Sequence, residues 1–256
     1  PLAALVGTPV TAATGIDLVA LARRIERSTG IPVLALGTTG FAWYDAGVRI
    51  ALETLAARFL SGGADDTRAD HRPRVGILGA SRFDFAHMDE ELAHLAHRLS
   101  EQGFEPIAPH DIASFSDLAN ADASIALSAS GVPLALRLER EFGIPYVVDR
   151  PRDATMGELL AHLDCICRPD HAASVAGQVS PDPCALVRRA SFSPRAENER
   201  PSLLVVAEQV AGCALAAELE LCGWPGRTQV ATFFDAADVS QATGATVLED
   251  ESQLAS

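Results

Sequence analysis

The sequence predicts an α/β chain of parallel, doubly wound sheets. Three observations carry that expectation. Short apolar runs such as 75–78, 124–127 and 203–207 alternate with longer segments of helical spacing, and that alternation implies parallel strands joined by right-handed crossovers. Aromatic residues make up only 5% while Ala and Leu dominate, which suits helices packed on sheets better than an aromatic-rich sandwich. With 256 residues, 48% apolar and 21% charged, the chain has material for one large domain or two to three small ones.

Three blocks follow one another. In residues 1–60, Leu2–Val6 reads as a buried-type strand, Ile16–Ser28 as a helix with Ile16, Val19, Leu21 and Ile25 in its apolar positions, and Pro32–Leu36 as the next strand. After a Gly-Thr-Thr-Gly turn at 37–40, Tyr44–Leu60 places Val48, Leu52, Leu55 and Phe59 at helical steps, with Arg49 and Glu53 spaced to pair on the outer face. Residues 61–73 (SGGADDTRADHRP) lack an apolar face and read as a linker. Residues 74–164 give strands at Val75–Leu78, Glu105–Ala108, Ser124–Leu127 and Tyr146–Val148, with helices at Met88–Gln102, Pro133–Phe142 and Met156–Leu163. Residues 165–201 hold Pro169, Pro181, Pro183, Pro194 and Pro201 without sustained periodicity, the mark of a long connector. In 202–256, strand Leu203–Ala207, helix Val210–Leu221 and strand Gln229–Phe234 lead to acidic Glu249–Glu251 with no further strand. The reading is up to three small domains, the first and third incomplete; because Leu2–Thr8 is already strand-like, the chain reads as a fragment that starts upstream.

Composition excludes several functions. All 20 basic residues are Arg, so the chain has neither a Schiff-base lysine nor the phosphate-contacting lysine of a P-loop nucleotidase. A formal charge of -14 repels polyanions, so no nucleic-acid partner is expected. The excess lies beyond residue 73, where residues 74–164 carry 15 acids against 7 Arg and residues 165–256 carry 12 against 6. It forms a solvated acidic surface or a face for a basic partner. No apolar run has the roughly 18 residues of a membrane span, and no basic secretory signal opens the chain, so no membrane association is expected. Five Cys with no C-x-x-C pair fit reduced thiols and a cytoplasmic location.

Ligands of open parallel sheets bind beyond the carboxyl ends of the strands, so the loops after residues 36, 78, 127 and 207 are the informative ones. They supply the candidate binding residues Thr38, Thr39, Gly40, Ser81, Ser128, Ser130, Glu208 and Gln209. None forms a G-x-G-x-x-G. Small residues and hydroxyls permit close backbone approach to a ligand, and the same residues also serve as ordinary turns and N-caps. Glu208 has two readings, proton transfer at a cleft or capping of the helix that follows. Cys165, Cys167, Cys184 and His171 match no common zinc spacing, Cys213 and Cys222 read as packed thiols, and His87, His94 and His97 read as surface imidazoles.

The order of several phrases resembles the nitrogenase component 1-type oxidoreductases. The likeness rests on GTPVTAATGIDLVALARRIERSTGIPVLALGTTGF at 7–41, RVGILGASRFDF at 74–85, SIALSASGVPLALRLEREFGIPYVV at 124–148, LLVVAEQVAGCALAAEL at 203–219 and ATFFD at 231–235. The resemblance implies Rossmann-like domains around a central cleft and pairing with a homologous subunit. It also implies electrons supplied by an ATP-dependent iron-sulfur reductase, for reduction of an unsaturated small-molecule or tetrapyrrole-type substrate. It further implies an iron-sulfur cluster in the full-length protein, held by Cys outside this chain, which has no Cys before Cys165. The cofactor-ligating Cys of nitrogenase itself would match Leu127 or Ser128, neither a thiol, which leaves a reductase of another substrate, a non-catalytic metallocofactor assembly scaffold, or a small-molecule binding protein.

Overall fold

The computed structural model describes residues 1–61, 72–168, 182–188, 202–234, 239 and 243–254. Most of the proposed linker and connector, with His171 and Asp235, lies outside the described residues. The chain forms two compact units, Pro1–Leu60 and Ser61–Ser256.

In the first unit, β1 (Ala3–Val6) pairs in parallel with β2 (Val33–Leu36), with Ala3 opposite Val33. Between them lie α1 (Pro9–Thr14) and α2 (Leu18–Thr29), and α3 (Tyr44–Phe59) follows β2. The sequence pattern missed α1. Its signal is local chemistry: the Thr11 amide donates to Thr8 Oγ1 at 3.2 Å and the Thr8 amide donates to Thr11 Oγ1 at 2.7 Å, a reciprocal cap, with Pro9 at the first helical position. Asp17 caps α2 through the Ala20 amide, and Gly30 ends it in the left-handed conformation. The expected apolar stripe of α2 is corrected: Ile16, Val19 and Leu21 are exposed, and Ala22 is the buried position, flanked by half-buried Leu18 and Ile25. Val19 and Leu21 are two residues apart and cannot share a helix face, whereas 18, 22 and 25 can. The buried-type reading of β1 is likewise corrected, since Ala3, Ala4 and Val6 are exposed. On α3, Val48, Leu52, Leu55 and Phe59 are half-buried, and Arg49 approaches Asp45 at 3.8 Å, one turn back rather than one turn on.

The second unit contains two parallel sheets. Strands β3 (Arg74–Leu78), β4 (Glu105–Ile107), β5 (Ala123–Ala126) and β6 (Tyr146–Val148) lie in the order β4-β3-β5-β6. Alternation sorts their side chains to two faces. Val75, Ile77, Ala123, Ile125 and Val147 face Leu95 and Leu99 of α4 (Met88–Glu101) and Met156, Leu159 and Leu163 of α7 (Met156–Cys167). α6 (Val132–Phe142) packs against β3, β5 and β6. On that side Gly76 makes room for Leu118, whose Cδ2 would stand 2.9 Å from a Cβ there. Leu118 lies in the 3₁₀ turn Asp117–Asn120 that follows α5 (Ile112–Ser116); the period-based reading missed this short pair, which Asp111 caps through the Ser114 amide. α7 runs four residues past Leu163, so Cys165 and Cys167 sit on a helix rather than in a connector, and α8 (Ala185–Arg188) is a further short helix in that stretch.

The second sheet, in the order β7-β8-β9, comprises β7 (Ser202–Val206), β8 (Arg227–Thr232) and β9 (Thr246–Val247). β9, opposite Ala231 and Thr232, corrects the expectation that no strand follows β8. Helix α9 (Gln209–Leu221) lies close on this sheet because Gly212 presents no side chain where a Cβ would meet Val230 at 2.6 Å. No helix among the described residues is long and apolar enough to cross a membrane.

Candidate functional site

All strands in each sheet run the same way, so their carboxyl ends share one edge. In the second unit that edge brings two predicted loops together. The turn after β5 (Ser128–Gly131) is a 3₁₀ turn leading into α6, and Gly131 lies against Gly79, the residue after β3. Gly79 has φ +76°, and a Cβ on it would stand 2.7 Å from Ser128 Oγ and 2.8 Å from Gly131 Cα. Only glycine meets both demands, conformational and steric. The close approach lets the Ser128 hydroxyl donate to the Gly79 carbonyl at 2.6 Å, with Ser130 Oγ 2.9 Å from Ser128 Oγ. Both hydroxyls are buried.

Glu208 ties this turn to the second sheet. Its Oε1 accepts from the Ala129 amide at 2.7 Å and its Oε2 from the Ala211 amide at 2.9 Å, so one carboxylate caps α9 and bridges to a loop 79 residues away. The residue is 6% exposed. Burial pushes its carboxyl up to about 7, opposed by the backbone amides of Ala129, Ala211 and Val210, while Asp84 adds to the rise. Gln209 beside it is buried, and its Nε2 donates to the Phe234 carbonyl at 3.0 Å, holding the end of β8. Ser81 shapes the β3 loop: its carbonyl accepts from the Asp84 and Phe85 amides at 3.0 and 3.1 Å, and its Oγ from the Phe83 amide at 3.2 Å.

Thr38, Thr39 and Gly40 belong to the first unit. The Thr38 hydroxyl donates to the Gly7 carbonyl at 2.7 Å, the Thr39 hydroxyl accepts from the Phe41 amide at 3.4 Å, and Gly40, at φ +76°, leaves room for the Pro9 ring. All three serve the turn itself.

The sequence reading passed over the loop after β6, and there the structure places charge. Arg150 donates to the Asp84 carbonyl at 2.8 Å and to Glu91 Oε2 at 2.9 Å, with its guanidinium 3.7 Å from the Phe85 ring centroid. Arg152 pairs with Glu218 of α9. With Phe85, Leu127 and Met156 these residues line a cleft of about 260 Å³ at the strand-end edge. The available signal was the run Asp149-Arg150-Pro151-Arg152-Asp153 directly after an apolar strand. The cleft's guanidinium and carboxylate groups suit a small polar ligand with an apolar body.

The family model for nitrogenase component 1-type oxidoreductases matches residues 3–163. The chain belongs to that family. Solved structures of nitrogenase Cp1 at pH 5 and at pH 6.5 resemble this component 1-type chain with TM-scores of 0.63 and 0.62 at 13% identity, a likeness of fold. They match over 91% of this chain and over 47% and 45% of theirs, so the chain spans about half their length. No curated protein matches it.

The metal-sulfur groups of the family find no fit in these loops. At the two positions expected for a ligating thiol, Leu127 offers a buried apolar side chain and Ser128 a buried hydroxyl bonded to Gly79. Among the described residues no three His, Cys, Asp or Glu converge as metal ligands. Cys213 is buried with its thiol 3.8 Å from the Thr243 carbonyl, burial pushes Cys167 up to about 12, and Cys222, expected to be packed, is exposed at the end of α9. His97 lies 3.4 Å from Glu101 on the open face of α4.

Proposed function

We propose that this chain is part of a component 1-like oxidoreductase subunit. It works with a homologous subunit in the cytoplasm and accepts low-potential electrons from an ATP-dependent iron-sulfur reductase, to reduce an unsaturated small-molecule or tetrapyrrole-type substrate. The domain plan that goes with this reading is three Rossmann-like lobes, of which 1–60 and 202–256 are parts and 74–164 is the middle one. The observation that supports it is the family match over residues 3–163, joined to a strand-end edge where the turn after β5, Glu208 and the charged cleft lie together. In this chain the edge residues bind and orient: the Ser128–Gly131 turn and Gln209 fix the backbone, and Arg152, 44% exposed at its side chain, is the cleft cation most open to a ligand. Any iron-sulfur cluster serving the reaction has ligands other than these loops.

A second reading rests on this pair of positions. Buried Leu127 and Ser128, neither a thiol, where a ligating thiol is expected favour a scaffold or a small-molecule binding protein of the same fold. Anaerobic purification of the full-length protein with its reductase, iron quantification and assay of ATP-dependent substrate reduction separates the two. The oxidoreductase reading expects stable iron and turnover that requires both the reductase and ATP. A bound, transferable cofactor or ligand without turnover supports the second reading and overturns the first.

A further inference from the structure

Glu208 does more than cap a helix. An ordinary N-cap needs one acceptor atom, and Glu208 uses both: Oε2 for the Ala211 amide of its own helix and Oε1 for the Ala129 amide of the turn after β5. The Ala129–Glu208 bond joins the two sheets of the second unit at their strand-end edge, and its acceptor is buried. A carboxylate can accept at both oxygens. A carboxylic acid becomes a donor at one of them, and the amide N–H groups facing it, those of Ala129 and Ala211 with Val210 beside them, offer no acceptor for that proton.

We propose that Glu208 is a positioning residue whose protonation sets the hold between α9 and the Ser128–Gly131 turn: ionised it binds both amides, and protonated it releases one. The released amide is that of Ala129, because the Ala211 bond is local to the helix and stays within reach in either state. Protonation therefore loosens the turn that carries Ser128 and Ser130 relative to β7 and α9. The turn after β5 carries no ionisable side chain, the first turn of α9 carries none, and the loop after β3 contributes Asp84, whose charge opposes ionisation of Glu208. Burial and Asp84 raise its carboxyl, and the backbone amides of Ala129, Ala211 and Val210 pull it down. The functional use of this device rests on the reading that the strand-end edge contacts a ligand; the device itself does not.

Amide NMR of the full chain from pH 5 to pH 9 tests it. The Ala129 amide proton is expected to move downfield as pH rises, with a midpoint near the value of about 7 set by burial of Glu208. Glu208→Gln should remove that step, and Glu208→Ala serves if the Gln variant fails to fold. Asp84→Asn should keep the step and move its midpoint to lower pH, which a purely structural contact would not do. An Ala129 amide that does not titrate, or a step that persists in Glu208→Gln, overturns the proposal. Absence of reductase-dependent turnover would sink the oxidoreductase reading and leave these titrations unchanged.

Discussion

Two strand-end turns in this molecule share their chemistry and differ in their surroundings. Gly37-Thr38-Thr39-Gly40 follows β2, and Ser128-Ala129-Ser130-Gly131 follows β5; both are small residues with two hydroxyls. The first is exposed apart from half-buried Thr38, whereas Ser128 and Ser130 are 0% and 2% exposed. The difference comes from what each turn meets. The β2 turn packs on Gly7 and Pro9 of its own unit, while the β5 turn is held by Gly79 on one side and by Glu208 of the second sheet on the other. Residue type alone assigns no role to a loop; the neighbours that approach it do.

Backbone substitution gives the largest expected contrast. Gly79→Ala adds a Cβ within 3 Å of two backbone atoms at a positive φ, and should cost about 4 kcal/mol in chemical denaturation. Gly37→Ala meets nothing within 4 Å and has no positive φ, so it should change stability by no more than about 0.5 kcal/mol. Equal losses in the two variants would erase the distinction between the turns.

The pH dependence of stability comes next. Burial raises Glu208 from 4.5 to about 7, so between those values the folded chain holds a proton that the unfolded chain has released. The contribution is fully present below about 4.5 and is lost as pH rises through about 7, a span worth about 3 kcal/mol. Denaturation midpoints measured from pH 5 to pH 8.5 should fall in the wild type, and Glu208→Gln should flatten the fall. No substitution in the β2 turn should affect it.

Much of the fold was legible because parallel strands in a covered sheet are short apolar runs: β3, β5, β6 and β7 lie within two residues of their expected ends. The short elements were not, since α1, α5 and β9 depend on caps and on pairing with a distant strand rather than on periodicity. At the site, the loop positions of Ser128 and Glu208 could be named from sequence. Their connection could not, because the Ala129–Glu208 bond spans 79 residues and exists only once two sheets have formed. The strand before Arg150 and Arg152 was legible, but their role was not, because the loop begins with charge rather than small hydroxyl residues and its partners Asp84, Glu91 and Glu218 are distant in sequence.

Hydroxyl deletion sharpens the contrast at smaller scale. Ser128→Ala removes a buried donor to Gly79 and an acceptor beside Ser130, and should cost about 2 kcal/mol. Thr38→Ala, which removes the half-buried donor to Gly7, should cost about 1 kcal/mol in the same denaturation assay.

Native-state hydrogen exchange at pH 8 compares the two turns most directly. The Ala129 amide, bonded to buried Glu208, should exchange at least about a thousandfold more slowly than the Phe41 amide, whose partner Thr39 is exposed. Exchange of Ala129 as fast as that of Phe41 would mean that the bridge between the sheets does not hold, and the account of the strand-end edge would fall with it.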